Sequence, residues 1–193
     1  MKVFFTASQR GKKKFGKYYT TIASEIKKLG FTLIDDDILT TDSEEFYSKF
    51  EDNNHEVHVQ FYKEELKKLQ DAEINIFDCS FHSLSIGFII EKSLELNKPT
   101  IVLYHKDHAP IFLRGVEEEK LLARSYGEQD ISKIVRKVLE EAQEQRDKRF
   151  NFFISPRLLL YLEQICKKEG VTKSYFIRNL ILEHKKKNEA SLK

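Results

Sequence analysis

The chain has 193 residues, 40% of them hydrophobic, with 33 Lys and Arg against 31 Asp and Glu and two cysteines. That composition suits one ordinary domain plus a short appendage. No stretch approaches the roughly 18 apolar residues that span a bilayer and no apolar leader opens the chain, so a soluble, intracellular, cytoplasmic protein without a membrane partner is expected. The charge is uneven: from Lys148 onward 11 basic residues face 4 Glu, a net +7, while residues 1–147 hold 22 basic and 27 acidic residues, a net −5, which points to a basic module for a polyanion joined to a body with other partners.

Lys2 to Thr6 is a short apolar run that reads as a strand, and the polar turn Ser8-Gln9-Arg10-Gly11 leads into a helix. Its Phe15, Tyr18, Ile22, Ile26 and Leu29 recur at helical spacing, and Gly30 stops it. A second strand, Phe31 to Ile34, ends in Asp35-Asp36-Asp37; a polar helical stretch follows, clearest from His55 to Leu69. Ile74 to Phe77 is a third strand, followed by Asp78-Cys79-Ser80, the turn Ser83-Leu84-Ser85-Ile86-Gly87, and a helix to about Leu96 stopped by Asn97-Lys98-Pro99. Thr100 to Tyr104 is the fourth strand. A weaker strand near Leu121 to Tyr126 and a long polar helix from about Ile131 complete the unit. Strands alternating with helices imply a parallel sheet covered on both faces, in which ligands sit beyond the carboxyl ends of the strands.

The loops after strands one and three carry phosphate chemistry. In Thr6-Ala7-Ser8-Gln9-Arg10-Gly11, backbone N–H groups at a helix start face outward and Arg10 adds a two-pronged contact; Ser83, Ser85 and Gly87 offer the same arrangement at a later helix. Short polar turns of this kind also arise for structural reasons alone. Their matching topological places are what make them a candidate site.

Lys2-Val-Phe-Phe-Thr-Ala-Ser-Gln-Arg-Gly11, Leu69-Gln-Asp-Ala-Glu-Ile-Asn-Ile-Phe-Asp78, Ser83-Leu-Ser-Ile-Gly87, Asn97-Lys98 and Phe112-Leu-Arg-Gly115 resemble the nucleoside 2-deoxyribosyltransferase-like fold, most closely its 2′-deoxynucleoside 5′-monophosphate N-glycosidases. The resemblance implies a flavodoxin- or Rossmann-like α/β domain over residues 1–146. By it, Ser8, Arg10, Gly11, Ser83 and Gly87 hold a nucleotide or nucleoside monophosphate, and Thr6, Asp78 and Ser85 complete the expected set. The chain departs from the family where the chemistry lies. The glutamate that the family carries two residues after the glycine of the S-L-x-x-G turn is here Ile89, which neither attacks an anomeric carbon nor balances an oxocarbenium charge. Glu91 is two helical residues further and should point away. Phe4 stands where the family has a tyrosine, and Glu65 where it has an aspartate. The expectation is that glycosidic cleavage is lost while nucleotide binding persists, with no catalytic residue and no cofactor.

The remaining segment, 147–193, reads as a strand from Arg149 to Ile154, a helix opened by Ser155-Pro156 with Leu158, Leu159, Leu162, Ile165 and Cys166 on one face, a stop at Gly170, and a second helix capped by Thr172 with Phe176, Ile177, Leu180 and Ile181 inward. Some 40 residues cannot bury a core alone but can when two chains pair. The order, and the Gly170-Val-Thr-Lys-Ser-Tyr-Phe-Ile-Arg178 stretch, resemble the ribbon-helix-helix family of the Arc and MetJ type, a β-α-α dimerisation module that lays its ribbon in the DNA major groove. Period two puts Phe150, Phe152 and Ile154 on the packing face and Arg149, Asn151 and Phe153 toward the bases, while the N–H groups of Lys173 and Ser174 meet a phosphate. Phe153 departs from the polar residue usual there. The plainer alternative is that the module only dimerises.

Other residues carry bland readings. His55 and His58 are solvated or capping rather than metal ligands, Lys12-Lys13-Lys14 is a solvated basic turn, Asp35-Asp36-Asp37 a charged strand end, and Cys79 and Cys166 buried hydrophobes; no metal is expected. The combined reading is a homodimeric or tetrameric DNA-binding regulator that senses a nucleotide and signals through the helix near Glu140 to Arg146. The alternatives are a working N-glycosidase or deoxyribosyltransferase that uses the ribbon module for assembly, and an antitoxin-like or defence-associated DNA binder.

Overall fold

The computed structural model describes residues 1–52, 54–106, 108–145 and 152–191. They fall into two compact units, Met1–Asp147 and Lys148–Lys193. In the first, β1 (Lys2–Ala7), β2 (Thr32–Leu33), β3 (Ile74–Asp78), β4 (Thr100–His105) and β5 (Leu121–Tyr126) form one sheet in the order β2-β1-β3-β4-β5, with every pairing parallel. The connections carry α1 (Lys12–Lys28), α2 (Asp37–Thr40), α3 (Ser43–Ser48), α4 (His55–Asp71) and α5 (Leu84–Glu95), and α6 (Ile131–Glu144) follows β5.

Side-chain alternation sorts β1 into two cores. Val3, Phe5 and Ala7 join Tyr19, Ile22 and Ile26 of α1 and Val135 and Val138 of α6. Phe4, one residue out of step, joins Leu69 of α4, Phe77 of β3, Ile86 and Ile90 of α5, and Val102 of β4. β3 is buried at every position, which is why it reads as a continuous run rather than an alternation.

The second strand is shorter than the apolar run from Phe31 to Ile34. Gly30 turns left-handed (φ 81°), and the Phe31 N–H goes back to the Ile26 carbonyl at 3.2 Å; Phe31 thus closes α1 instead of joining the sheet. The polar stretch after β2 holds two short helices ahead of α4. Asp42 and Asn54 cap α3 and α4, accepting from Glu44 N at 2.8 Å and Glu56 N at 2.9 Å. Lys12 is not merely solvated: its Nζ donates to the carbonyls of Leu39 (3.0 Å) and Thr41 (2.6 Å) and ties α2 to the start of α1.

The second unit contains α7 (Pro156–Glu169) and α8 (Lys173–Ser191). Ser155 Oγ accepts from Leu158 N at 3.4 Å, Gly170 ends α7 in the left-handed region (φ 70°), and Thr172 Oγ1 caps α8 through Tyr175 N at 3.2 Å. Of the strand expected over 149–154, Phe152–Ile154 have no regular structure, and Arg149 and Asn151 lie outside the described residues. Within one chain a ribbon strand has no neighbour to complete its ladder. Among the described residues no helix is long and apolar enough to cross a membrane.

Candidate functional site

The strand order turns at β1, from which the chain moves outward to β2 and then returns across to β3, so the loops after β1 and β3 diverge and leave a crevice. A cavity of about 390 Å³ occupies that place, within the range of small-ligand sites. Phe4, Thr6 and Ser8 share the β1 face that lines it; Ser83, Ser85, Ile86 and Ile89 line it from α5, and His58, Phe61, Glu65 and Lys68 from α4. The α4 residues recur at intervals of three, four and three, which puts them on one stripe of the helix.

At the mouth, Ser8 and Gln9 follow β1, and Ser83 is the N-cap of α5. The Ser83 Oγ accepts from Ile86 N at 3.5 Å, and the first N–H groups of α5 are the kind that hold an anion. Gln9 lines the cavity at 7% exposure and its Oε1 has no hydrogen-bond partner. The structure brings together Thr6, Ser8, Ser83 and Ser85 of the residues expected to touch a nucleotide; Arg10, Gly11, Asp78 and Gly87 are not among the lining residues. Arg10 sits over the ring of Tyr47, a lining residue, 5.5 Å from its centroid. Gly11 is buried, and a Cβ there would stand 2.6 Å from both Phe81 Cβ and the Tyr19 hydroxyl, so its smallness serves packing. A Cβ at Gly87 would meet nothing.

Asp78 is wholly enclosed and its acceptors are used within the protein. Its carboxylate receives the Tyr126 hydroxyl at 2.6 Å and the Ser80 N–H at 2.9 Å. Burial raises its pKa above the usual carboxylate range, opposed by those two hydrogen bonds. It braces the loop after β3 rather than facing the cavity.

Of the floor and wall, only Phe4 and Glu65 were marked in the sequence, through the family resemblance. Lys68 Nζ lies 2.5 Å from Asp35 Oδ2, 2.8 Å from Glu65 Oε1 and 3.0 Å from Asp37 Oδ2, and it stands 6.0 Å over the ring of Phe4. Burial raises the Glu65 pKa, the Lys68 ammonium working against it. The Lys68 pKa is raised: burial lowers it, but its carboxylate partners outweigh that. The wall is aromatic. Phe46, Phe50 and Phe61 pack edge to face or tilted with centroids 5.1–5.7 Å apart. His58 stacks on Phe50 at 5.4 Å, so it belongs to this wall rather than to solvent alone. Among the described residues no group of three or more His, Cys, Asp or Glu is arranged to hold a metal ion. Ile89 lines the cavity while Glu91 is exposed and off it.

In the second unit Phe153 is fully exposed. Thr172, Lys173 and Ser174 stand exposed at the start of α8, where Lys173 Nζ pairs with Glu163 Oε1 at 2.6 Å. Cys79 and Cys166 are both free and buried.

No family model and no curated protein matches the chain. Among solved structures, a CMP N-glycosidase of Clostridium botulinum, BcmB, is similar over 72% of this chain and 98% of its own, at 12% identity and a TM-score of 0.46.

Proposed function

We propose that the first unit binds a nucleoside monophosphate in this cavity without cleaving it, and that the second unit pairs with another copy into a ribbon-helix-helix DNA-binding module, making the protein a nucleotide-responsive, homodimeric DNA-binding regulator. One observation supports the nucleotide half: the cavity joins a polar mouth of Ser8, Ser83, Ser85 and the start of α5, suited to an anion, to an aromatic wall, with Ile89 on the lining where the resemblance places a catalytic glutamate. An alkyl group keeps the cavity's shape and removes the charge that glycosidic cleavage requires. The DNA half is supported by the +7 charge of residues 148–193 and by the exposed residues Thr172, Lys173 and Ser174 at the start of α8, a place suited to a phosphate. Coupling requires that the nucleotide favour one arrangement of the DNA-binding halves over another.

The test is binding of the purified protein to DNA from its own promoter region at two salt concentrations, with and without 5′-monophosphates, beside the variant Arg149→Ala, Asn151→Ala. The expected result is tight, salt-sensitive binding that the variant loses and a nucleotide shifts. Binding no tighter than the non-specific level of roughly 10⁻⁴ to 10⁻⁶ M would reduce the second unit to an assembly device.

Glu65 favours a second reading. A half-buried carboxyl with a raised pKa that lines a nucleotide-sized cavity has the character of a general acid. Release of free base from a nucleoside monophosphate, abolished by Glu65→Gln, would establish an N-glycosidase with a rebuilt site.

A further inference from the structure

We propose that Arg124 guards an open edge of the sheet: it occupies the strand edge to which a second copy of this chain would otherwise add its own β5, and so keeps two sheets from joining. β5 ends the order β2-β1-β3-β4-β5, so among the described residues it has a strand on one side only. Its parallel register with β4 runs from Thr100 opposite Leu121 to His105 opposite Tyr126. The bonds at the two ends of that ladder fix which way its backbone groups point. Thr100 N–H donates to the Lys120 carbonyl at 2.8 Å, and Lys106 N–H to the Tyr126 carbonyl at 3.0 Å. Backbone direction alternates along a strand, so Leu122, Arg124 and Tyr126 turn their N–H and C=O groups to β4, while Leu121, Ala123 and Ser125 turn theirs outward.

The opposite edge of the sheet defends itself by being short: β2 is Thr32–Leu33, followed closely by Asp35-Asp36-Asp37. β5 has six residues, no proline and a single charged side chain, Arg124. That charge is bent onto the rim. Leu122 and Tyr126 enter the core shared with α6, and Arg124 follows them as far as Glu141 of α6, with Nη2 2.5 Å from Glu141 Oε2; its Nη1 turns back to donate to the outward carbonyl of Ala123 at 2.9 Å. The Leu121 N–H is closed by the chain itself, donating to the Glu118 carbonyl at 3.1 Å. Ala123 and Ser125 remain, and Ser125 is exposed. An antiparallel copy of β5 related by a two-fold axis at Ala123 would exchange the Ala123 N–H and carbonyl bonds across the axis and set each Ser125 N–H against a Leu121 carbonyl. Arg124 covers the central acceptor of that ladder and adds a charge that a joined edge would take out of water. A partly exposed ion pair contributes little to the stability of a fold, so the contact with Glu141 matters more for where it holds the guanidinium than for the energy it adds.

The experiment is sedimentation of the full chain and its Arg124→Ala variant, at about 0.3 M salt to screen the acidic residues that flank β5, beside hydrogen exchange of the β5 amides. Arg124 is half-exposed, and the variant is expected to keep the circular dichroism of the parent. Its weight-average mass should rise to about twice that of the parent or more, and exchange at Ala123 and Ser125 should slow about tenfold or more as protein concentration rises. Arg124→Gln, uncharged and too short to span from the Ala123 carbonyl to Glu141, carries the same expectation where Arg124→Ala does not fold. A variant with the mass and exchange of the parent would overturn the proposal. Growth in mass with unchanged exchange in β5 would overturn it too, by placing the new contact elsewhere.

Discussion

In Met1–Asp147 the side chains on the sheet, among them Phe4, Phe5 and Phe77, and Tyr19 of α1 are almost wholly withdrawn from solvent, although Leu84, Ile111 and Phe112 stay exposed. In Lys148–Lys193 only Leu162 and Cys166 are buried among the described residues, while Leu158, Leu160, Leu180 and Ile181 each expose more than half their surface. The helices of both units carry apolar residues at the same three- and four-residue spacing. What differs is the availability of a surface to cover them: the first unit supplies a five-stranded sheet with helices on two faces, and the second has only one helix to set against another. Helical amphipathicity therefore specifies which residues need covering and not what covers them.

The largest effects are expected in the first unit. Phe77→Ala removes a fully buried ring packed at 6.4 Å against Phe4 and should cost about 3–5 kcal/mol in denaturant unfolding, independent of protein concentration. Gly11→Ala forces a methyl against Phe81 and the Tyr19 hydroxyl; a loss of about 1–3 kcal/mol is expected, with weaker nucleotide binding as the mouth shifts. A variant as stable as the parent would show that the loop after β1 gives way freely. On the open side, Leu180→Asp should change the stability of the isolated chain by no more than about 0.5 kcal/mol yet abolish self-association in sedimentation, since the face it charges is exposed in the single chain. Unchanged association would place the dimer contact elsewhere.

A smaller effect, dependent on pH, is expected at Glu65 in the first unit. Glu65 has a raised pKa caused by burial; a carboxyl raised on folding contributes stability that is present below its unfolded pKa and lost as pH rises through its folded pKa. Melting temperatures of Glu65→Gln and the parent, followed from the ordinary carboxylate range toward neutrality, should move in favour of the variant as pH rises. A difference that does not vary with pH would mean that the charged form is as well accommodated in the folded chain as in the unfolded one.

Much of the first unit was legible because its strands are short apolar runs bounded by turns: the run from Leu121 to Tyr126 coincides with β5 residue for residue, and α1 buries Phe15, Tyr18, Ile22 and Ile26, the positions its spacing marks. Of the site, the mouth was legible, because a strand-to-helix turn in a parallel sheet has a fixed place. The floor was not. Asp35, Asp37 and Lys68 look like solvated charges in a polar stretch, and Glu65 drew attention only through a family resemblance. The 58-61-65-68 stripe was there to be found, but a stripe of mixed charge and aromatics reads equally well as an outer face. Asp78 erred in the other direction: a carboxylate at the end of a strand beside a ligand loop looks available, and Tyr126, 48 residues on, occupies it.

From the sequence alone came the order of the five strands and the main helices of the first unit, the stops at Gly30 and Gly170, the cap at Thr172 and the basic second unit, since each follows from local spacing, backbone preference or charge. Only the tertiary structure shows that one stripe of α4 lines a cavity, that Lys68 meets Asp35 and Asp37 from the segment after β2, and that Asp78 is spent on the protein itself. The physical reason is common to all three: local periodicity fixes which side chains share a face, whereas the partner of a polar group is set by which distant segment the sheet order brings against it.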